Sequence, residues 1–264
     1  MVSNELNVAL NAVNKAAEIL LKHFRKIETV EMKGGNPKDI VTEADLEAER
    51  AIIKIIQANF GSHNILAEET GFIKKDSPYT WVIDPLDGTG NFAAGLPYFS
   101  ISIALLKGKQ PVVAAISAPV EGELFYAQKG KGAYLASGDG KPFKITVSKT
   151  DKLAQSFGII EAGHNNAVLL KALNILGPQI KRFRVLGSTV LNLASVAAGR
   201  VDFFTVARIN THDIAGGMLL VAEAGGKVTV SEPISLDTEK KVTLTASNGL
   251  IHQEILQAIK ALSY

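Results

Sequence analysis

Trp81-Val82-Ile83-Asp84-Pro85-Leu86-Asp87-Gly88-Thr89-Gly90-Asn91-Phe92 is the stretch on which the reading of this chain turns. An apolar strand delivers Asp84 to its end, and Pro85 has no N–H with which to continue a ladder. Asp87 follows three residues later, with the Leu86 carbonyl between the two acids. Gly88 permits a tight turn, and glycines let a backbone approach an anion closely. Gly88-Thr89-Gly90 can then present N–H groups at the start of a short helix, which is a site for phosphate. The same Asp-Pro-x-Asp-Gly run also makes a good surface turn.

Three further acidic clusters lie outward from it. Glu68-Glu69 follows the apolar run 64–67. Asp39-Ile40-Val41-Thr42-Glu43-Ala44-Asp45 precedes a helical pattern. His212-Asp213 is placed at the opening of another. Each has a plainer reading: a solvated turn for Glu68-Glu69, a capping box for Thr42 and Asp45, and an N-cap for Asp213. Read together, carboxylates at the ends of apolar elements repel one another unless cations neutralise them. Oxygen ligands select Mg²⁺, Mn²⁺ or Ca²⁺. Two ions about 3.5–4 Å apart can clamp the attacking and leaving oxygens of a phosphoryl transfer.

Composition narrows the chemistry. The chain has 264 residues, no cysteine, five dispersed histidines and a formal net charge of +2. Disulfides, thiolate nucleophiles and thiolate zinc sites are excluded. No basic run suggests a nucleic-acid partner. No basic patch followed by an apolar core opens the chain, and no apolar run approaches the ~20 residues of a membrane span. A cytoplasmic protein with no membrane segment is expected.

Helical periodicity predicts a first amphipathic helix from Leu6 to Phe24 and a second from Thr42 towards Phe60. Lys33-Gly34-Gly35-Asn36-Pro37-Lys38 is a loop. Strands are expected at 64–67, 79–83, 98–106, 111–118, 123–128 and 132–135. The second half alternates, with strands at 156–160, 183–186, 201–206, 227–230 and 242–246. Its helices are placed at 167–176, from Ser188 to 198, from Asp213 to 224, and at 252–262. This alternation gives the fold class α/β, built in layers. The loop 137–142 sets the boundary between residues 1–139, carrying the metal and phosphate site, and residues 140–264, an α/β substrate subdomain.

The sequence resembles the inositol monophosphatase family, part of a wider group with fructose-1,6-bisphosphatases and 3′-phosphoadenosine phosphatases. The likeness rests on Asp39-x-Val41-Thr42-x-x-Asp45, Glu68-Glu69, Asp84-Pro85-x-Asp87-Gly88-Thr89-x-Asn91-Phe92, and Asp213-x-Ala215-x-Gly217 running into Glu223-Ala224-Gly225-Gly226. Arg184-x-x-Gly187-Ser188 and Gly199-Arg200-x-Asp202 also look like family features.

The resemblance implies a sugar-phosphatase fold of alternating αβαβα layers and a Mg²⁺-dependent phosphomonoesterase. Glu68, Asp84 and the Leu86 carbonyl would hold one ion. Asp84, Asp87 and Asp213 would hold a second, and a third, weaker ion would sit near Glu68. Mn²⁺ would be able to replace Mg²⁺. Gly88 and Thr89 would bind phosphate through their N–H groups, and Asp87 would lie beside the substrate. Thr89 paired with Asp45 would orient and help deprotonate a metal-activated water for in-line attack. Lys33 would lie close to the ions. A homodimer and lithium inhibition are expected on the same ground.

Departures from the family pattern bear on substrate. Inositol-specific members carry an acid where Val206 stands here, and an apolar group cannot bond sugar hydroxyls. Arg208 nearby can meet a second phosphate or carboxylate. His212 replaces a usual Trp, Ala67 a usual Gly, and Gly216 a common Ala. The expected substrate is a small sugar or polyol phosphate, inositol-1-phosphate or fructose-1,6-bisphosphate or both. A 3′(2′),5′-bisphosphate nucleotidase is the alternative enzyme. A partner-binding regulatory protein that retains the fold is the alternative of a different class.

Overall fold

In the computed structural model, which describes residues 3–26, 30–32, 40–138, 140–163, 165–236 and 241–260, Ser3 caps the first helix by accepting the Leu6 N–H. That helix, α1 (Asn4–His23), buries one stripe, including Leu6, Ala9, Val13, Ala16 and Leu20. It is followed by β1 (Val30–Met32), β2 (Ile40–Thr42), α2 (Glu43–Phe60), β3 (Asn64–Ala67), β4 (Gly71–Ile73), β5 (Tyr79–Asp87) and α3 (Thr89–Ala93). Then come β6 (Ser100–Lys107), β7 (Gln110–Ala118), β8 (Glu123–Gln128), β9 (Gly132–Ser137) and β10 (Phe143–Ile145). The second half runs β11 (Phe157–Glu161), α4 (Asn166–Leu176), β12 (Arg182–Arg184), α5 (Thr189–Ala197) and β13 (Phe203–Ile209). It ends with α6 (Ala215–Glu223), β14 (Lys227–Val230), β15 (Val242–Ser247) and α7 (His252–Ile259).

Two large sheets form. The first has eight strands in the order β10-β9-β8-β7-β6-β5-β3-β4, and the second five in the order β12-β11-β13-β15-β14. In the first sheet β3 and β5 run parallel and the remaining pairs antiparallel. In the second, β12, β11 and β13 are parallel, and β15 and β14 complete it antiparallel. Helices α1 and α2 cover one face of the first sheet, around Trp81, Ile83, Ile101 and Ile103. Helices α5 and α6 lie between the sheets and share the largest core with Ile116, Phe125, Phe204 and Leu244. Helices α4 and α7 cover the far face of the second sheet. The order is therefore α, β, α, β, α, as the resemblance implies. Gly216 lets α6 press on β6, because a Cβ there would stand 2.7 Å from Ser102 Oγ.

Several local expectations shift. The strand through Asp84 continues to Asp87, past Pro85. Pairing with β6 skips from Asp84↔Ser102 to Asp87↔Ser100, so the proline sits in a bulge. Pairing with β3 stops at Ile83, so no partner on that side asks Pro85 for a donor. The short arms β1, β2, β4 and β10 have no clear period-2 signal in sequence. β10 extends the first sheet by pairing Phe143–Ile145 with β9. The last helix is described only to Ile259, and residues 261–264 lie outside the described residues.

Candidate active site

The bulge in β5 aims both of its acids inward. Asp84 is 1% exposed and Asp87 9%. Asp84 Oδ1 accepts the Leu86 N–H at 3.1 Å, while Oδ2 is buried and has no hydrogen-bond partner. Burial pushes the Asp84 carboxyl well above the usual carboxylate range, and repulsion from Glu68, Asp87 and Asp213 adds to it. The β5 bulge, the β3 end and the turn before α6 thus bring Asp87, Glu68 and Asp213 within electrostatic reach of Asp84.

Asp87 is better supplied with donors. The Ser188 hydroxyl donates to its Oδ2. The Val190 N–H donates to Oδ2 at 2.9 Å and the Thr189 N–H to Oδ1 at 3.1 Å. The Ser100 hydroxyl adds a bond to Oδ2 at 3.2 Å. These donors include the first turn of α5, whose N-terminus favours a negative charge. Burial nevertheless pushes the Asp87 carboxyl up to about 7, against the lowering effect of Ser188.

Asp213 sits in the turn before α6, which begins at Ala215 after Ile214. It does not open the helix, as the sequence had suggested. Its Oδ2 accepts the Asn210 N–H at 3.1 Å, and its Oδ1 lies 3.2 Å from His212 Nε2. These contacts bend the chain before the helix begins. Burial raises the Asp213 carboxyl, and the charge of Glu68 raises it further.

On the other side of the bulge stands Asp45, in the first turn of α2 and 1% exposed. Its Oδ2 accepts from the Thr42 N–H at 2.9 Å and from the Thr42 hydroxyl at 2.5 Å. Its Oδ1 lies 3.4 Å from Thr89 Oγ1, which is also 3.0 Å from the Leu86 carbonyl oxygen. The capping box and the pairing with Thr89 therefore coexist, one on each carboxylate oxygen. Gly88 takes φ 92, ψ 35 and leads into α3. The N–H groups at the start of a helix have no intrahelical acceptor, so those of Gly88, at the N-cap, and Thr89, the first residue of α3, are able to meet an anion.

Asn91 fastens α3 to the second half of the chain. Its Nδ2 donates to the Tyr98 and Leu186 carbonyls, both at 2.8 Å. The Tyr98 hydroxyl donates to Asn192 at 2.9 Å, and Asn192 donates to Glu161 at 3.0 Å. Glu161 also accepts the Leu186 and Gly187 N–H groups. The sequence placed Ser188 at the start of a helix and within a family run, and it does cap α5. Its bond to Asp87, like the contributions of Ser100, Glu161 and Asn192, had no local signal.

Lys33 lies outside the described residues, as does Asp39. Arg208 is exposed and has φ 59, at the bulge of β13 between Val206 and Ile209. Among the described residues it makes no ion pair. Val206, at the position that is acidic in inositol-specific members, is 1% exposed.

A divalent ion fits this donor set. A buried carboxylate oxygen without a partner is costly, and hard cations take oxygen ligands. Among the described residues no three acidic or imidazole groups already close into an ion cage.

The sequence matches the model described as the inositol monophosphatase family over residues 1–264. A Thermotoga maritima protein named fructose-1,6-bisphosphatase/inositol-1-monophosphatase is 39% identical, covering 97% of this chain and 96% of its own. A Pasteurella multocida protein named Nus factor SuhB is 36% identical, covering 84% of each chain. Among solved structures, an IMPase of Thermotoga maritima superposes with a TM-score of 0.87 at 37% identity, over 98% of both chains. The extragenic suppressor protein suhB of Bartonella henselae gives 0.88 at 32% identity, covering 98% of this chain and 99% of that one.

Proposed function

This chain belongs to the inositol monophosphatase family, whose members are phosphatases acting on phosphate monoesters, and from that premise we propose a Mg²⁺-dependent hydrolase of a small sugar or polyol phosphate. The observation that carries the proposal is the unpartnered, buried Oδ2 of Asp84 among three further carboxylates. Glu68, Asp84 and the Leu86 carbonyl would hold one ion, and Asp84, Asp87 and Asp213 a second. When bound, such ions neutralise phosphate oxygens and make a water acidic enough to attack at neutral pH.

The chain's own groups do the rest. The N–H groups of Gly88 and Thr89 hold the phosphate and fix its orientation. Thr89 Oγ1 accepts from the attacking water and passes its own proton towards Asp45 Oδ1, 3.4 Å away. Oδ1, the Asp45 oxygen that faces Thr89 Oγ1, serves as base, while Oδ2 holds the Thr42 N–H and hydroxyl. Water oxygen bonds to phosphorus as the ester P–O bond breaks, and the alkoxide takes a proton from solvent. No phosphoenzyme is needed.

The substrate class is proposed from the two departures from the family pattern at Val206 and Arg208. Val206 offers no acceptor to sugar hydroxyls, whereas Arg208 offers a cation to a second phosphate or a carboxylate. Inositol-1-phosphate and fructose-1,6-bisphosphate are the substrates proposed, in line with the name of the Thermotoga relative. The test is phosphate release from inositol-1-phosphate, fructose-1,6-bisphosphate and 3′-phosphoadenosine 5′-phosphate, with and without Mg²⁺. We expect Mg²⁺-dependent release from one or both of the first two. Release from the nucleotide alone, or no release above a Glu68→Gln control, would remove this substrate class. Relatives named Nus factor SuhB favour a second, partner-binding role, for which capture by catalytically silent protein is the check.

A further inference from the structure

Glu49 is a buried carboxylate that the mechanism above does not use. It lies on α2 four residues after Asp45, on the same helical face, and is 1% exposed. Its two oxygens accept three hydrogen bonds. The Glu69 N–H donates to Oε2 at 2.8 Å. The Thr70 N–H and hydroxyl donate to Oε1 at 2.8 and 2.6 Å. All three donors belong to the turn at residues 68–70 that joins β3 to β4. Bonds to an ionised acceptor are stronger than those between neutral groups.

The bonds act on Glu68 through the peptide plane. A peptide unit is flat, so fixing the Glu69 N–H also fixes the Glu68 carbonyl. On the other side, Ala67 is held by pairing with Ile83 of β5 and Gly71 of β4. The backbone of Glu68 is therefore held on both sides, by strand pairing at Ala67 and by the Glu49 bond at the Glu69 N–H. One face of α2 thus carries both Asp45, beside Thr89, and the clamp on the turn that presents Glu68.

We propose that Glu49 is a positioning residue for Glu68, which sets the affinity of the ion site by fixing the 68–70 turn. The inference rests on Glu68 being an ion ligand, as proposed above. Groups that orient metal ligands change affinity by about 10–100-fold when removed.

The test compares wild type, Glu68→Gln, Glu49→Gln and Thr70→Val. Mn²⁺ affinity is measured by calorimetry without substrate. The Mg²⁺ concentration for half-maximal phosphate release and the kcat at saturating Mg²⁺ are measured alongside. Glutamine keeps the shape of Glu49 but turns one acceptor into an NH₂ facing an N–H donor. We expect Glu49→Gln to weaken Mn²⁺ binding about tenfold and to raise the Mg²⁺ requirement in step. Its kcat at saturating Mg²⁺ should stay near wild type, and its melting in EDTA cooperative. Thr70→Val should show a smaller loss of the same sign.

Weakened binding in Glu68→Gln with wild-type binding in Glu49→Gln would overturn the role of Glu49 and leave that of Glu68 standing. Unchanged binding in Glu68→Gln would overturn the ion-ligand reading, and this inference with it. If Glu49→Gln does not fold, Thr70→Val decides, since it keeps the carboxylate and every backbone donor. Wild-type Mn²⁺ affinity there would overturn the proposal.

Discussion

Asp87 concentrates the chemistry of the site in one side chain. Four donors converge on it, yet burial still pushes its carboxyl up to about 7. An asparagine would turn an NH₂ towards hydroxyl and N–H donors and would lose a ligand charge. Removing a group that merely orients a ligand costs about 10–100-fold, so Asp87→Asn should lower kcat/KM by at least about 100-fold. Steady-state phosphate release measures it, and near-normal turnover would refute the role given to Asp87. The residue was legible because Asp84, Asp87 and Gly88 lie within one short run. Its partner Ser188 lies 101 residues further along, and no local pattern connects the two. Glu49 was hidden for a similar reason. A glutamate in a helix reads as solvated until the turn it grips is folded against it.

At the scale of elements, the join between β5 and α3 is the most constrained. Gly88 has φ 92, and a Cβ there would stand 3.1 Å from both the Gly187 and Tyr98 carbonyl oxygens. Neither backbone oxygen can move without disturbing the bonds of Asn91 or the start of α5. Gly88→Ala should therefore destabilise the protein by about 1–3 kcal/mol and weaken phosphate binding, read by urea unfolding and by inhibition with inorganic phosphate. Wild-type stability would show that the turn tolerates a side chain. The long amphipathic helices were legible from periodicity, and β7 and β8 as apolar-rich runs bounded by the glycine-containing turns at residues 107–110 and 129–131. Where the structure departed, a tertiary contact decided. Pro85 is tolerated inside β5 because β3 ends opposite Ile83. α6 starts two residues late because Asp213 closes the preceding turn with Asn210 and His212. β4 and β10 are three residues each, too short for alternation to show.

For the whole molecule, the layers bring carboxylates from both halves of the chain into one buried place, and that placement couples ions, protons and stability. Among the described residues no helix is long and apolar enough to cross a membrane. Asp84, Asp87 and Asp213 all have carboxyls raised in the fold. In the unfolded chain they titrate near the ordinary value of about 3.9. The folded, metal-free protein therefore binds more protons than the unfolded chain between about pH 4 and pH 7. Their contribution to stability is complete below the unfolded value and is lost as pH rises through the folded ones. Divalent ions replace those protons and should restore it. The decisive measurement is thermal unfolding of wild type and Asp84→Asn from pH 4 to 8, in EDTA and in Mg²⁺. The account predicts a metal-free Tm that falls towards pH 7 in wild type, a flatter profile in Asp84→Asn, and Mg²⁺ stabilisation that grows with pH only where Asp84 is present. A Tm indifferent to Mg²⁺ at pH 8, or equal Mg²⁺ stabilisation in both proteins, would contradict it.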